Sequence, residues 1–362
     1  MSKSIKLVFH IGRPKTGTSF LQKNAKKVQG IHFFGKFYSN SQKTKLDSKL
    51  VEIHNELFSS YRAEALNAFP NPSRNSYRLI NDYADIVSKR IINSPDKSIF
   101  LISDECIGDY SNFIGEWNTF LIACIGDIVE KKLEEDFSLK KVLSISLRSQ
   151  LSIIPSHYGY TPTIRGNFQN WLRNGISNPC SGYFGGLFYS SSLKVIHSVL
   201  SESWQIKLTP YEILGIDNDP ERYFREVFSI GMNFDLSNCD FFTKINKNST
   251  EQDGKKAVIN RKFNFVTNYG FRSSIQNENA AYIRKRSGFM FAYLYFSFKF
   301  FISKSIYYFG RLIDKLYAYF KKQSFIQLSN EEKILILETY KKDNEELGKF
   351  INLSDLKRYK YL

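Results

Sequence analysis

The stretch Ile5-Lys6-Leu7-Val8-Phe9-His10-Ile11-Gly12-Arg13-Pro14-Lys15-Thr16-Gly17-Thr18-Ser19 decides how the chain folds. Its first half, Ile5–Ile11, is a nearly continuous apolar run of strand length, the pattern of a strand buried on both faces of a parallel sheet. Gly12 and Pro14 end that run, and Thr18–Val28 carries the periodicity of a helix. A glycine-containing turn between a buried strand and a helix points backbone N–H groups into the turn, at the positive end of the helix dipole. Such a turn holds a phosphate. The hydroxyls of Thr18 and Ser19 add donors. A Walker A loop would end in Gly-Lys-Ser/Thr. Here Thr18 stands where that lysine belongs, and the lysine lies upstream as Lys15. An ATPase or GTPase reading is weakened accordingly.

Three further apolar runs follow: Ser98–Ser103, Lys141–Leu147 and Ile206–Thr209. Helical patterns separate them, near Tyr77–Ile92, Asn112–Glu134, from about Leu151, and near Leu187–Ser201. Strands alternating with helices, with no hairpin signal between them, predict βαβ units and an α/β fold with a P-loop-like parallel β-sheet flanked by helices. A helical C-terminal extension follows. It closes with a helix over Asn330–Phe350, opened by Ser329 and Glu332 at capping-box spacing. The texture changes near Leu236, so residues 1–235 are expected to form the nucleotide-binding core and 236–362 a loop and helical region completing the site.

The chain has 362 residues, 42% of them hydrophobic and 24% charged, which is a globular composition. Four dispersed cysteines without CxxC spacing exclude a zinc ribbon and a thioredoxin-type pair, and the five scattered histidines offer no metal pair. The N-terminal residues lead into a short strand and not a signal-peptide core, so a cytoplasmic location is expected. Lys and Arg exceed Asp and Glu by 51 to 35, a net charge of +16, which favours an anionic partner, substrate or surface.

The segment His10–Gln22 (HIGRPKTGTSFLQ) resembles the 5′-phosphosulfate loop of sulfotransferases that use 3′-phosphoadenosine 5′-phosphosulfate (PAPS), especially bacterial glycan and glycolipid members. The resemblance implies that Lys15 contacts the bridging oxygen and sulfuryl group. It also implies that Arg13, Lys15, Thr16, Gly17, Thr18 and Ser19 belong to the cofactor loop. The family's 3′-phosphate motif is an arginine at a strand end with a serine eight residues on and a tyrosine shortly after. Arg148, Ser156 and Tyr158 match it, and a guanidinium plus a hydroxyl can converge on one phosphate. Looser similarities include Thr209-Pro210-Tyr211-Glu212 after the last strand and Asn246-Lys247-Asn248-Ser249, where Asn248 and Ser249 would close over the nucleotide. Asp343-Asn344 through Tyr361 resembles the family's closing helix.

In some glycan sulfotransferases a glutamate precedes a His-Phe-Phe run. Here Gly30 stands in that region, before Ile31-His32-Phe33-Phe34. The base is therefore expected at Glu105, after the second predicted strand, where ligand groups gather in an open parallel sheet. His10 and His32 are the reserves. No metal is implied.

Between Arg284 and Lys322 nine basic residues face one acid among many Phe and Tyr. Its longest uncharged stretch, Ser287–Phe298, is too short to span a bilayer, which needs about 20 residues. The segment reads either as an interfacial stretch on an anionic membrane or as core helices. These observations lead to the expectation of a PAPS-dependent sulfotransferase acting on a glycan or glycolipid, peripheral at the inner membrane face, with no nucleic-acid partner. A P-loop kinase and a non-catalytic membrane or nucleic-acid binder are the alternatives.

Overall fold

Strand β1 (Lys3–Gly12) lies at the centre of a five-stranded, all-parallel sheet, with Leu7, Val8, Phe9 and Ile11 fully buried. A strand covered on both faces has no polar side to present, which explains the unbroken apolar run. Each such side chain stabilises the fold by roughly 1.5–3 kcal/mol through burial. The computed structural model describes residues 2–12, 16–35, 48–60, 73–104, 114–133, 135–160, 168–180, 182–241, 251–252, 255–256 and 328–362.

The chain forms two compact units. One comprises residues 1–154, 175–246 and 329–362; the other comprises residues 155–174 and 247–328. The first contains the sheet. After β1 come α1 (Thr18–Ala25), β2 (Ile31–Phe33), α2 (Ser48–Asn55, continued by a π-helical turn), α3 (Arg74–Ile92), β3 (Ile99–Asp104), α4 (Ile114–Leu133) and β4 (Phe137–Leu147). Then follow α5 (Gln150–Tyr160), α6 (Phe168–Ser177), α7 (Gly182–Gly185), α8 (Tyr189–Val199), β5 (Trp204–Pro210), α9 (Glu212–Gly215) and α10 (Pro220–Val227). Helices α11 (Asn330–Leu347) and α12 (Leu353–Arg358) close the unit. The strand order is β2-β3-β1-β4-β5.

Register partners in a parallel sheet project their side chains to the same face. His10 and Ser103 are partners, and Gln22 of α1 donates to Ser103, so α1 covers that face. Asp104 points to the opposite face, where His54 of α2 meets it. Helices therefore flank both sides, as the alternation of runs predicts. Lys141 on this second face is buried beneath α4, donating to Asp127 at 2.5 Å and Glu130 at 2.6 Å, with its ammonium 5.5 Å from the Trp204 ring. A charge so enclosed is tolerable only because both carboxylates meet it.

Helix α3 buries Leu79, Ile80, Tyr83, Ala84, Val87 and Ile91, the spacing of one helical face, and Ser73 caps its start by accepting from Ser76 N–H. The predicted capping box of α11 is complete, with Glu332 N–H donating to Ser329 Oγ and Ser329 N–H to the Glu332 carboxylate. Asp343 of α11 accepts from the backbone N–H groups of Ser190 and Ser191, both at 2.9 Å, and so caps α8 from a distance. Asn344 and Gln150 exchange amide hydrogen bonds, and Asn344 also donates to the Tyr361 carbonyl.

The second unit contains a two-residue pairing of Glu251–Gln252 (β6) with Lys255–Lys256 (β7). In its helical part the Tyr158 ring packs 5.3 Å from Phe168 and 5.5 Å from Trp171. Residues 284–322 lie outside the described residues. No helix among the described residues is long and apolar enough to cross a membrane.

Candidate active site at the strand ends

Two glycines shape the turn after β1. A Cβ on Gly12 would lie 2.7 Å from Thr16 Oγ1 and 3.3 Å from Ser146 Cβ, so any side chain there would force the Thr16 and Ser146 side chains to shift. Gly17, the N-cap of α1, has φ 77°, a left-handed conformation that costs other residues about 1–2 kcal/mol. Its N-cap position carries no side-chain cap, and the first turn of α1 contains no acidic residue. The amides of that turn are the orphan donors of a helix start. Thr18 is 1% exposed, and its hydroxyl is buried with no hydrogen-bond partner. Its Oγ1 is 3.5 Å from the point a Gly12 Cβ would occupy. Thr209, register partner of Ser146 at the end of β5, is likewise buried with an unpartnered hydroxyl. Burying a hydroxyl unpaired costs about 1–3 kcal/mol. A helix start with a buried hydroxyl beside its amides fits a phosphate oxygen.

A chain of side-chain hydrogen bonds anchors this turn from below. His10 Nδ1 is 2.8 Å from Ser103 Oγ, and Nε2 is 2.9 Å from Ser146 Oγ. Tyr223 of α10 is 3.1 Å from Ser146 Oγ and donates to the Thr16 carbonyl at 2.6 Å. With a neutral imidazole, one proton arrangement satisfies every bond. The Thr16 carbonyl only accepts, so Tyr223 spends its proton there and Ser146 donates to Tyr223. His10 Nε2–H then donates to Ser146, and Nδ1 accepts from Ser103, which accepts from Gln22. Burial pushes the His10 pKa down to about 3, so the ring is neutral. This corrects the expectation of His10 as a catalytic residue. It is fully buried, both ring nitrogens bond to serines, and its role is to fix the loop. His32, the other reserve, packs its ring against Phe34 and Phe100 at 4.7 and 5.7 Å.

The second anion handle lies immediately after β4. Arg148, 7% exposed, donates through Nε to Ser152 Oγ at 2.9 Å and stacks its guanidinium 4.6 Å above the Tyr211 ring. The same Tyr211 ring lies 3.3 Å from the point a Gly17 Cβ would occupy. One aromatic ring thus separates the loop from the arginine and brings the two predicted anion contacts to neighbouring places. Below it, Glu212 accepts from Ser149 N–H at 2.8 Å and from the Tyr361 hydroxyl at 3.1 Å. Burial raises the Glu212 pKa, opposed by the Ser149 amide and by Arg148.

Of the predicted residues, Thr16, Gly17, Thr18, Ser19 and Arg148 fall in the first unit at the carboxyl ends of β1 and β4. Ser156 is half-buried on the part of α5 that belongs to the second unit. Arg13, Lys15, Glu105, Asn248 and Ser249 lie outside the described residues. Sequence reasoning missed Ser103, Ser146, Tyr223 and Glu212 as partners of the site, and also His54 and Tyr83. Only the Tyr211-Glu212 pair and Tyr361 carried a signal, through the family resemblance. Among the described residues no cluster of His, Cys, Asp and Glu suits a metal ion. Compared with models of protein families, with curated proteins and with solved structures, the chain matches none.

Proposed function

We propose that this chain is a sulfotransferase moving a sulfuryl group from PAPS to a hydroxyl or amine of a glycan or glycolipid. The observation that carries the reading is the unpartnered Thr18 hydroxyl at the start of α1, with Arg148 across the shared Tyr211 ring. A donor with phosphates at both 5′ and 3′ positions needs two such handles, whereas ATP needs none at the 3′ position. In this reading Gly17, Thr18 and Ser19 hold the 5′-phosphate, and Arg148 holds the 3′-phosphate. Lys15 meets the charge that grows on the leaving phosphate. PAPS supplies the activated sulfuryl group; the protein supplies position and electrostatic complementarity. The net charge of +16 suits an anionic donor and an anionic membrane face near which a glycolipid would be met.

Calorimetry with adenosine 3′,5′-bisphosphate, AMP and ATP tests this reading. Loss of the 3′-phosphate is expected to cost ~1.5–3 kcal/mol, the worth of a charged hydrogen bond. Equal affinity for AMP and the bisphosphate refutes the sulfotransferase reading, and preference for ATP supports a kinase.

A further inference from the structure

We propose that Asp104 takes the acceptor's proton and that His54 and Tyr83 are the residues that position it, an inference that rests on the sulfuryl-transfer reading above. Asp104 is the last residue of β3, and its Cα partner across the sheet is Ile11, the residue before Gly12. The chain runs from β1 out to β2, back to β3, then across β1 to β4. The strand order therefore reverses around β1, and ligands of open parallel sheets collect outside the carboxyl ends at that point. Asp104 stands beside the phosphate loop there.

Behind the carboxylate is a directed hydrogen-bond series. His54 Nε2 is 2.7 Å from Asp104 Oδ2, and His54 Nδ1 is 3.1 Å from the Tyr83 hydroxyl. A carboxylate only accepts, so His54 donates from Nε2 and takes the Tyr83 proton at Nδ1. His54 and Tyr83 are fully buried and Asp104 is 3% exposed, with the Phe58 ring 4.6 Å from the imidazole. Burial lowers the His54 pKa, outweighing the opposing pull of Asp104. His54 consequently orients the carboxylate as a neutral donor. Among the described residues, His54 from α2 meets Asp104 directly, and Tyr83 from α3 stands behind His54. The register partner of Asp104, Ile11, is apolar, and His10 is neutral on the other face.

Three polar side chains in an apolar layer cost desolvation that three apolar ones would not. A proton acceptor at a ligand crevice accounts for that cost. In the transfer step an acceptor oxygen lone pair forms the bond to sulfur. The bond from sulfur to the bridging oxygen breaks, its electron pair staying on the 5′-phosphate. The acceptor's proton goes to the Asp104 carboxylate, and nothing is oxidised or reduced. The series through His54 ends on the last described residue of β3, Asp104; the expected Glu105 lies outside the described residues.

The test uses the full chain and two readouts. Calorimetry with adenosine 3′,5′-bisphosphate reports the donor site, and release of radiolabelled sulfate from PAPS, with water as acceptor, reports the step. Asp104→Asn keeps the shape and can still accept from His54. It is expected to bind the bisphosphate as the wild type does and to release sulfate on the order of 10²-fold more slowly or worse. Tyr83→Phe leaves the carboxylate in place but weakens its support. It is expected to slow release several-fold and to move the acid limb of the kcat/KM profile to higher pH. Normal release by Asp104→Asn with intact nucleotide binding overturns the assignment of Asp104 and leaves sulfuryl transfer standing. A wild-type chain that binds no bisphosphate, or releases no sulfate, overturns both. If Asp104→Asn does not fold, Tyr83→Phe decides, and an unchanged rate and acid limb refute the proposal.

Discussion

Lowering the pH from 7 to 5 is expected to strip the protein of about 2 kcal/mol through His10 alone. In the unfolded chain this imidazole titrates near 6.5. In the fold its pKa is about 3, because the ring is fully buried between Ser103 and Ser146. The folded value is depressed, so the contribution is complete above about 6.5 and is lost progressively as pH falls toward 3, where the folded form would also protonate. At pH 5 the unfolded state carries the proton and the folded state does not. One pKa unit corresponds to about 1.4 kcal/mol, and the difference in proton uptake between pH 7 and 5 amounts to about 2 kcal/mol. Urea unfolding at each pH, for wild type and His10→Gln, isolates the effect. The variant has a lower baseline stability, but its slope against pH should be shallower by that amount. Parallel slopes would refute both the neutral His10 and the directed chain that ends at the Thr16 carbonyl.

Three other outcomes can be checked independently. In the sulfotransferase reading, Lys15→Ala should depress turnover more than nucleotide affinity, because its charge would meet the charge growing on the leaving phosphate; an unchanged kcat with raised KM, in steady-state kinetics, contradicts the role. Asp343→Ala should cost ~1–2 kcal/mol in thermal or urea unfolding, since it removes the acceptor for the Ser190 and Ser191 amides at the start of α8; a loss within experimental error argues against that cap. Vesicle sedimentation should show binding that rises with anionic lipid and falls with salt, and neutralising Arg284, Lys285, Arg286, Lys321 and Lys322 together should abolish it. Binding that survives those changes assigns the membrane contact elsewhere.

The sheet was legible because β1, β3 and β4 are covered on both faces, which forces apolar runs of strand length. Strand β2 escaped because it has only three residues, Ile31–Phe33, between Gly30 and Gly35, both of positive φ. No periodicity can accumulate over so short a span. The start of α1 after β1 was legible for the opposite reason. Its residues are contiguous, and the need for Gly12 and Gly17 is local. Its supports were not, since Tyr223 reaches Thr16 across 207 residues and His10 reaches Ser146 across 136. A serine inside an apolar strand gives no sign of whether it faces a histidine or merely tolerates burial. His54 and Tyr83 fell in helical stretches where a buried polar residue is usual, and only the register at Asp104 brings them to the strand end.

The bond from Tyr361 to Glu212 spans 149 residues and sets a clock on maturation. During synthesis at about 5–20 residues per second, roughly 7–30 s separate the emergence of the glutamate from that of its tyrosine. For that interval the carboxylate beneath Ser149 lacks one of its donors, and the Asn344 amide that holds the Tyr361 carbonyl is missing as well. A ribosome-bound chain can therefore pair β1 with β4 well before it can finish the floor under Arg148. The start of α1, held by Tyr223, can be completed before that floor is, because its partners all precede residue 224.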